Sequence, residues 1–382
     1  MSRLVDYFVI CGYEHTEGGR GRVLQRFPAC DREDVSFIQG LDLFCQPGGW
    51  VLTPDRQETK FFMPMLTDSE GDRRYCPCLS FSEPLPLEEE DGMMFAPKCL
   101  VLVSRHDMQD TFRDCLRLIY GALYTNHPPS VTLESLVARL LLVTVPAPAS
   151  PAAIFSLGAG DRQLVSGAAQ GGTRVAALFR QLGPAAVMTL VSAVISEQRI
   201  LLHSASCALL TDSAAALVSL ISPLHYCHTL VPVLPRSMLE ILSSPAPFII
   251  GVTSQLMRLA GSLQDQGLVV VDLDHGRVDT PATAQLPGLT EPLRSSVEAE
   301  LCLVLHPQLA TADLAFPECD SAAAGGVAPQ LLDKQLRAVM LRMMAQLLQV
   351  SVTLILTSVS TRVPTFFLTP ISSKSFDKYR LT

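Results

Sequence analysis

Over the first hundred residues, short apolar runs rich in β-branched and aromatic residues are cut by turn chemistry. Leu4–Ile10, Val23–Phe27, Phe61–Leu66, Arg74–Phe81 and Cys99–Ser104 are predicted strands, parted by Glu17-Gly18-Gly19, Pro47-Gly48-Gly49 and Asp68–Gly71. The acidic, proline-containing stretch Glu83–Gly92 is predicted as an exposed loop. The period then changes. Phe112, Cys115, Leu116, Ile119 and Leu123 recur at helical spacing, as do Leu133, Leu136, Val137, Leu140 and Leu141, with Ser130 or Thr132 placed to cap the second helix. A strand meander closed by two helices forms a first lobe, ending at the Pro/Ala-rich break Val145–Pro151.

Beyond the break the pattern alternates. Val175–Leu182 and Ala185–Ile195 are predicted helices parted by Gly183-Pro184, followed by strand Arg199–His203 and buried helix Cys207–Ile221. Strand Thr229–Val233, short helix Ser237–Leu242, strand Phe248–Val252 and strand Leu268–Leu273 come next, the last turning at Asp274-His275-Gly276. This order predicts a second α/β lobe whose sheet is covered on both faces. A helix over Pro292–Leu305, a linker over Ser321–Pro329 and a helix over Leu331–Leu348 complete it. The last helix carries a stripe of Leu336, Met340, Met343, Met344, Leu347 and Leu348, expected to serve packing. Val350–Ile371 shows no helical period in this reading and is expected as strand or irregular tail.

Composition narrows the class. Of 382 residues, 48% are apolar and 17% charged, enough for two substantial cores. The most apolar uncharged stretch, Ser213–Pro235, contains three prolines and two histidines, so it is expected as buried helix and strand, with no membrane span. No secretory signal is legible at the start. Eleven irregularly spaced cysteines, mostly within apolar runs, point to reduced thiols and a cytoplasmic location. The net charge is −8, and the excess of acid over the first 330 residues argues against a nucleic-acid grip.

The sequence carries few signals of chemistry. Cys99 and Arg105 have the spacing of a cysteine phosphatase loop, but Leu-Val-Leu-Val-Ser between them is an extended apolar strand that cannot cradle a phosphate. Cys76 and Cys78, with Cys99 or His106, lack the second ligand pair of a zinc site and are expected in the core. His203, His225 and His228 lie near strand ends without a nucleophile or carboxylate pattern, and are expected as structural. Gly158-Ala-Gly160 starts like a dinucleotide fingerprint, but Gln163 replaces its third glycine. No catalytic residue, cofactor site or metal site is assigned.

Taken in order, the segments resemble the DENN family. The opening Leu4-Val-Asp-Tyr-Phe-Val-Ile10, Leu24-Gln-Arg-Phe-Pro28, Leu43-Phe-Cys-Gln-Pro-Gly-Gly-Trp50, Leu66-Thr-Asp68 and Phe95–Arg105 are similar to its upstream part. Leu178–Gly183, Arg199-Ile-Leu-Leu-His-Ser204, Val231-Pro-Val-Leu-Pro235 and Pro245–Val252 are similar to its core. Ser156–Gln163 and Asp313–Pro317 resemble the SET-binding factor branch, the myotubularin-related pseudophosphatases. The resemblance implies an α/β (α+β) fold: a longin-like N-terminal lobe (1–149), a three-layer α/β core lobe (150–318), the start of a helical segment (319–349) and a divergent tail (350–382). It implies a guanine-nucleotide exchange module for Rab-family small GTPases, promoting GDP release by binding their switch regions, with His228 and Arg236 as candidate GTPase contacts. Endosomal membranes would be reached through partners alone. Because the family's helical segment should continue past Gln349, the resemblance also implies a C-terminally truncated form. The alternative is a scaffold that binds a GTPase or other partner without exchange.

Overall fold

A computed structural model of the chain describes residues 2–14, 20–67, 71–86, 93–124, 132–148, 150–158, 162–166, 172–259, 267–281, 286, 291–311, 313 and 328–362, with backbone alone at 86, 259, 310, 311 and 350–362. The first lobe is built on a five-stranded antiparallel sheet ordered β3-β2-β8-β7-β4. Its strands are β2 (Tyr7–Glu14), β3 (Arg20–Phe27), β4 (Lys60–Phe62), β7 (Cys78–Pro86) and β8 (Met93–Val103). A short ribbon pairs β1 (Ser2–Arg3) with β9 (Thr144–Val145), and another pairs β5 (Met65–Thr67) with β6 (Arg73–Tyr75). Side chains alternate across the main sheet. Phe8, Ile10, Leu79, Phe81, Leu100 and Leu102 pack against Phe112, Cys115, Leu116 and Ile119 of α2 (Gln109–Tyr124) and Leu136, Val137 and Leu140 of α3 (Leu133–Leu142). Tyr7, Val9, Cys11, Cys78, Cys99 and Val101 face the other way, onto Val35, Trp50 and Leu41 and Cys45 of α1 (Leu41–Cys45). Both faces are buried over Tyr7–Cys11 and Cys99–Val103, which is why those parts of β2 and β8 are unbroken apolar runs.

Several boundaries differ from expectation. The run Leu4–Ile10 is not one strand, because the chain changes partner within it: Leu4 N bonds Val143 O and Asp6 N bonds Val103 O. Pro64 and Pro77 split the expected strands 61–66 and 74–81 into pairs, since proline offers no ladder donor. The expected loop from Glu83 is strand as far as Pro86, held by β8 through the Glu83–Ala96 and Leu85–Met94 register, and residues 87–92 lie outside the described residues. Thr132 is the cap of α3, its hydroxyl accepting from Ser135 N, while Ser130 lies outside the described residues.

After Val145 comes a two-stranded hairpin, β10 (Ala153–Phe155) and β11 (Gln163–Val165). Placed by sequence in the second lobe, it packs on the first. Phe155, Leu157 and Val165 join the α2–α3 core, and Thr111 Oγ1 donates to Leu164 O at 3.0 Å.

The second lobe has a sheet ordered β13-β14-β12-β15-β16, its first four strands parallel. They are β12 (Ile200–Ser204), β13 (Thr229–Val231), β14 (Phe248–Thr253) and β15 (Val269–Asp272); β16 (Arg277–Asp279) adds an antiparallel edge. One face carries a thick helical layer: α4 (Arg174–Leu182), α5 (Pro184–Ile195), α6 (Cys207–Leu220), α8 (Glu291–Leu305) and α9 (Pro329–Arg362). The other is closed by the 3-10 helix Arg236–Ser243 and α7 (Ser254–Leu259), against Leu201, Ile250, Val252 and Val270. Helices α4 and α5 bend by 112° at Gly183, whose φ of 78° a residue with a Cβ adopts only at a cost. Among the described residues no single helix is long and apolar enough to cross a membrane.

Helix α9 is fastened by more than its apolar stripe. Leu336, Met340, Met343 and Met344 are buried, each contributing roughly 1.5–3 kcal/mol. Asp333, fully buried, accepts from Val175 N (2.8 Å) and Ala176 N (3.0 Å) at the start of α4, and from Arg337 Nε at 2.6 Å. Arg337 donates onward to Ser219 Oγ of α6 at 2.8 Å. The carboxylate thus caps a helix 158 residues earlier in the chain.

Past Gln349 the structure corrects the expectation of strand or irregular tail: α9 continues to Arg362. An established helix propagates at little cost per residue, and β-branched residues lower its propensity by only a few tenths of a kcal/mol each. Val352, Ile355, Leu356 and Val359 do recur at three- and four-residue spacing, masked by the Thr and Ser among them. Residues 363–371 of the expected tail lie outside the described residues.

Candidate functional site

In an open α/β sheet, ligands gather outside the carboxyl ends of the parallel strands, where helix N-termini offer backbone N–H groups to anions. Here β12, β14 and β15 end at Ser204, Thr253 and Asp272. The turn from β12 into α6 is already occupied. Asp274 accepts from Ser204 Oγ at 2.6 Å and from Ala205 N at 2.8 Å, with Ser254 Oγ at 3.5 Å. Ser206 caps α6, its hydroxyl accepting from Leu209 N. Asp272 in turn accepts from Asp274 N (3.0 Å) and His275 N (3.1 Å), and its second oxygen meets His275 Nδ1 at 2.8 Å and His203 Nε2 at 3.8 Å. Hydrogen bonds from His275 outweigh the opposing effect of burial and lower the Asp272 pKa. The place where such a sheet would hold a phosphate is filled by the protein's own carboxylate.

This edge meets the first lobe. Arg236 N donates to Pro47 O at 3.0 Å, and the Gln255 side chain lies beside Gly48. Further along the seam Arg174 makes two bonds to Asp107, at 2.6 and 2.7 Å, and a third through Nε to Gln109 at 2.7 Å. Gln109 donates to Asp212 at 2.7 Å, and Arg73 donates to Tyr226 O. Burial raises the Asp212 pKa, partly offset by Arg174. On Arg174 itself burial acts downward, but the Asp107 carboxylate wins and its pKa is raised. The lobes are clamped by side chains that would be costly to leave unpaired.

The two candidate contacts do not come together. His228 precedes β13 at the amino edge of the sheet, with Nε2 3.3 Å from Glu197 Oε1 and its ring edge-on to Tyr226. Arg236 follows β13 at the carboxyl edge. It is exposed, and its guanidinium has no partner among the described residues. His203 lies at the carboxyl edge and His225 in the loop before His228, so the three second-lobe histidines form no cluster.

The other sequence candidates resolve as packing. Cys99 sits in β8 facing Cys45 and Cys78, with Gln46 Nε2 3.5 Å from its sulfur, while Arg105 pairs with Asp6 at 3.1 Å. Cys76 lies between strands rather than on one, and burial pushes its thiol up to about 12. His106 meets Ser2 Oγ at 2.9 Å. No group of His, Cys, Asp and Glu among the described residues is arranged to hold a metal ion. Gly158 follows β10 and Gln163 opens β11 of the hairpin, while residues 159–161 of the motif lie outside the described residues. Sequence reasoning missed the seam residues Arg73, Asp107, Gln109, Arg174 and Asp212. Their partners are 65 or more residues away, and nothing local distinguishes them from solvated charges.

These features define a two-lobed α/β protein whose lobes meet along a polar seam. The DENN (AEX-3) domain family matches residues 95–276, and the uDENN domain matches residues 21–81. The chain belongs to the DENN family. It is 31% identical over 311 residues to myotubularin-related protein 5 of Caenorhabditis elegans, covering 80% of this chain and 17% of that protein. It is 28% identical over 315 residues to DENN domain-containing protein 3 of Mus musculus, covering 74% and 24%. It is 22% identical over 348 residues to the DENN domain and WD repeat-containing protein SCD1 of Arabidopsis thaliana, covering 82% and 29%. The chain therefore spans less than a third of the length of each of these relatives.

Proposed function

We propose that the chain is a guanine-nucleotide exchange module for a Rab-family small GTPase, which it engages along the seam where the first lobe meets the carboxyl edge of the second-lobe sheet. The match of the uDENN and DENN domains across both lobes carries the reading. Exchange of this kind needs no bond chemistry. A surface that binds the nucleotide-free GTPase more tightly than the GDP-bound form shifts the population toward release. Arg236, exposed at the seam, is positioned to meet a carboxylate of the GTPase. His228 would act only if the footprint reached the opposite edge of the sheet. The ten described cysteines are all free, which supports a cytoplasmic setting.

The test is release of a fluorescent GDP analogue from a panel of Rab proteins. One Rab should respond, and Arg236→Glu should slow its release by about tenfold with an unchanged melting temperature. His228→Ala should have a smaller effect. Binding of a Rab without faster release would leave a scaffold role, and no binding to any Rab would end the proposal.

A further inference from the structure

The first-lobe sheet has two edges of unlike character. At one, β4 lies against α6 of the second lobe, near Cys207 and Ala208. At the other, β3 pairs with β2 alone, and no described residue bonds to the backbone of its outer edge. Eight residues make this open edge about 27 Å long.

Its surroundings are specific. Arg20 and Arg22 are exposed and share a face with Leu24, which is 42% exposed. Arg26 lies on the opposite face, over Phe37. Glu14 pairs with Arg22 at 2.8 Å and Asp31 with Arg26 at 2.7 Å, while Arg20 has no partner among the described residues. Such exposed pairs are worth about 0–1 kcal/mol and leave the arginines open to an incoming anion. On the Arg22 face, one strand inward, a cavity of about 130 Å³ opens among Gly12, Leu24, Glu83, Leu85 and Lys98. On the other face, Trp50 rests on Gly21, where a Cβ would lie 1.9 Å from the indole, and Val51 beside it is 62% exposed. The edge thus has an apolar shoulder on each face and a cationic rim.

A second copy fits poorly. Self-pairing about residue 23 would set Arg20 opposite Arg26 twice. The extra residue at Leu24, where the register with β2 slips, also reverses the alternation within the strand. We propose that the β3 edge over Arg20–Leu24 accepts an extended segment of a partner protein by strand addition. That segment carries acidic residues at alternate positions to meet Arg20 and Arg22, and an apolar residue to pack beside Leu24. The edge lies across the sheet from the β4–α6 contact with the second lobe, and Arg20 and Arg22 take no part in the described seam contacts.

The probe is a fluorescein-labelled peptide of alternating Glu and Val, measured by anisotropy against the full chain. Controls are the Lys/Val counterpart and the Glu/Val peptide N-methylated at alternate residues. The acidic peptide should bind, and the Arg20→Glu/Arg22→Glu variant should weaken it at least about tenfold while Trp50 emission and melting temperature hold. N-methylation should abolish binding on the unaltered chain, an arm that stands even if the variant fails to fold. Equal binding of the N-methylated peptide would show charge attraction without strand addition and overturn the proposal. So would no preference for the acidic peptide, or a concentration-dependent dimer in sedimentation that the variant breaks.

Discussion

The two sheets bury both faces, yet they are held together differently. In the first lobe, β2–β3 and β7–β8 pair consecutive strands, the β2–β8 pairing that joins them sets Tyr7 beside Val103, and the covering helices α2 and α3 follow β8 directly. Its core is apolar on both faces, and its buried polar contacts, such as Asp6 with Arg105 and Ser104 with Leu4 O, lie where β2 begins and β8 ends rather than under its helical cover. In the second lobe the parallel strands are gathered from distant segments. Their helical cover is completed by α9, which returns from the far end of the chain and is fixed by a buried carboxylate. A helical cover that follows its sheet directly needs no such anchor, whereas a helix arriving from far along the chain is fixed here by a directional polar lock.

The strongest way to break this contrast is Asp333→Ala. It leaves two N–H groups of α4 and the Arg337 guanidinium without their acceptor, and should cost about 3–5 kcal/mol in urea unfolding. Asp333→Asn, which keeps one carbonyl acceptor, should cost less. Equal losses in both would mean that the lock is a matter of shape.

A smaller effect is expected at the seam. Arg174→Ala strands Asp107 and Asp212 and should cost about 2–3 kcal/mol, less than a fully buried pair because Asp107 remains 37% exposed. It should also separate the unfolding of the two lobes into distinguishable steps, and a single transition at an unchanged midpoint would contradict the clamp.

The smallest effect is a pH slope. Burial raises the Asp212 pKa, so the folded state keeps that proton to higher pH than the unfolded chain does. Its contribution to stability falls as pH rises from the ordinary carboxylate value through the raised one. Asp212→Asn should lose this slope, its melting temperature gaining on the unaltered chain across that window. Parallel melting curves would show that Asp212 titrates normally.

How far the sequence anticipated this follows from the same contrast. The apolar runs of β2, β8, β12 and β14 and the periods of α2, α3 and α6 were legible because burial imposes them residue by residue. Pro64 and Pro77 stand in the sequence too, each removing a ladder donor from a run that is otherwise strand-like. The extension of α9 was missed because Ser and Thr interrupt its spacing, while helix propagation tolerates them. For the candidate site, Arg236 entered through family resemblance and the structure places it at the seam. Asp274 showed only as part of a turn, since filling the strand–helix turn depends on β12 and β15 lying side by side.

Trp50, seated on Gly21, is the only tryptophan of the chain. Its emission is therefore a reporter confined to the first lobe. Fluorescence follows one half of the molecule while circular dichroism averages both. A protein whose second lobe opens first would lose helical signal before its emission shifts toward the red. Quenching of that same indole by a peptide seated on β3 would be read without any added label, so one residue can time the loosening of the fold and count the occupancy of its open edge.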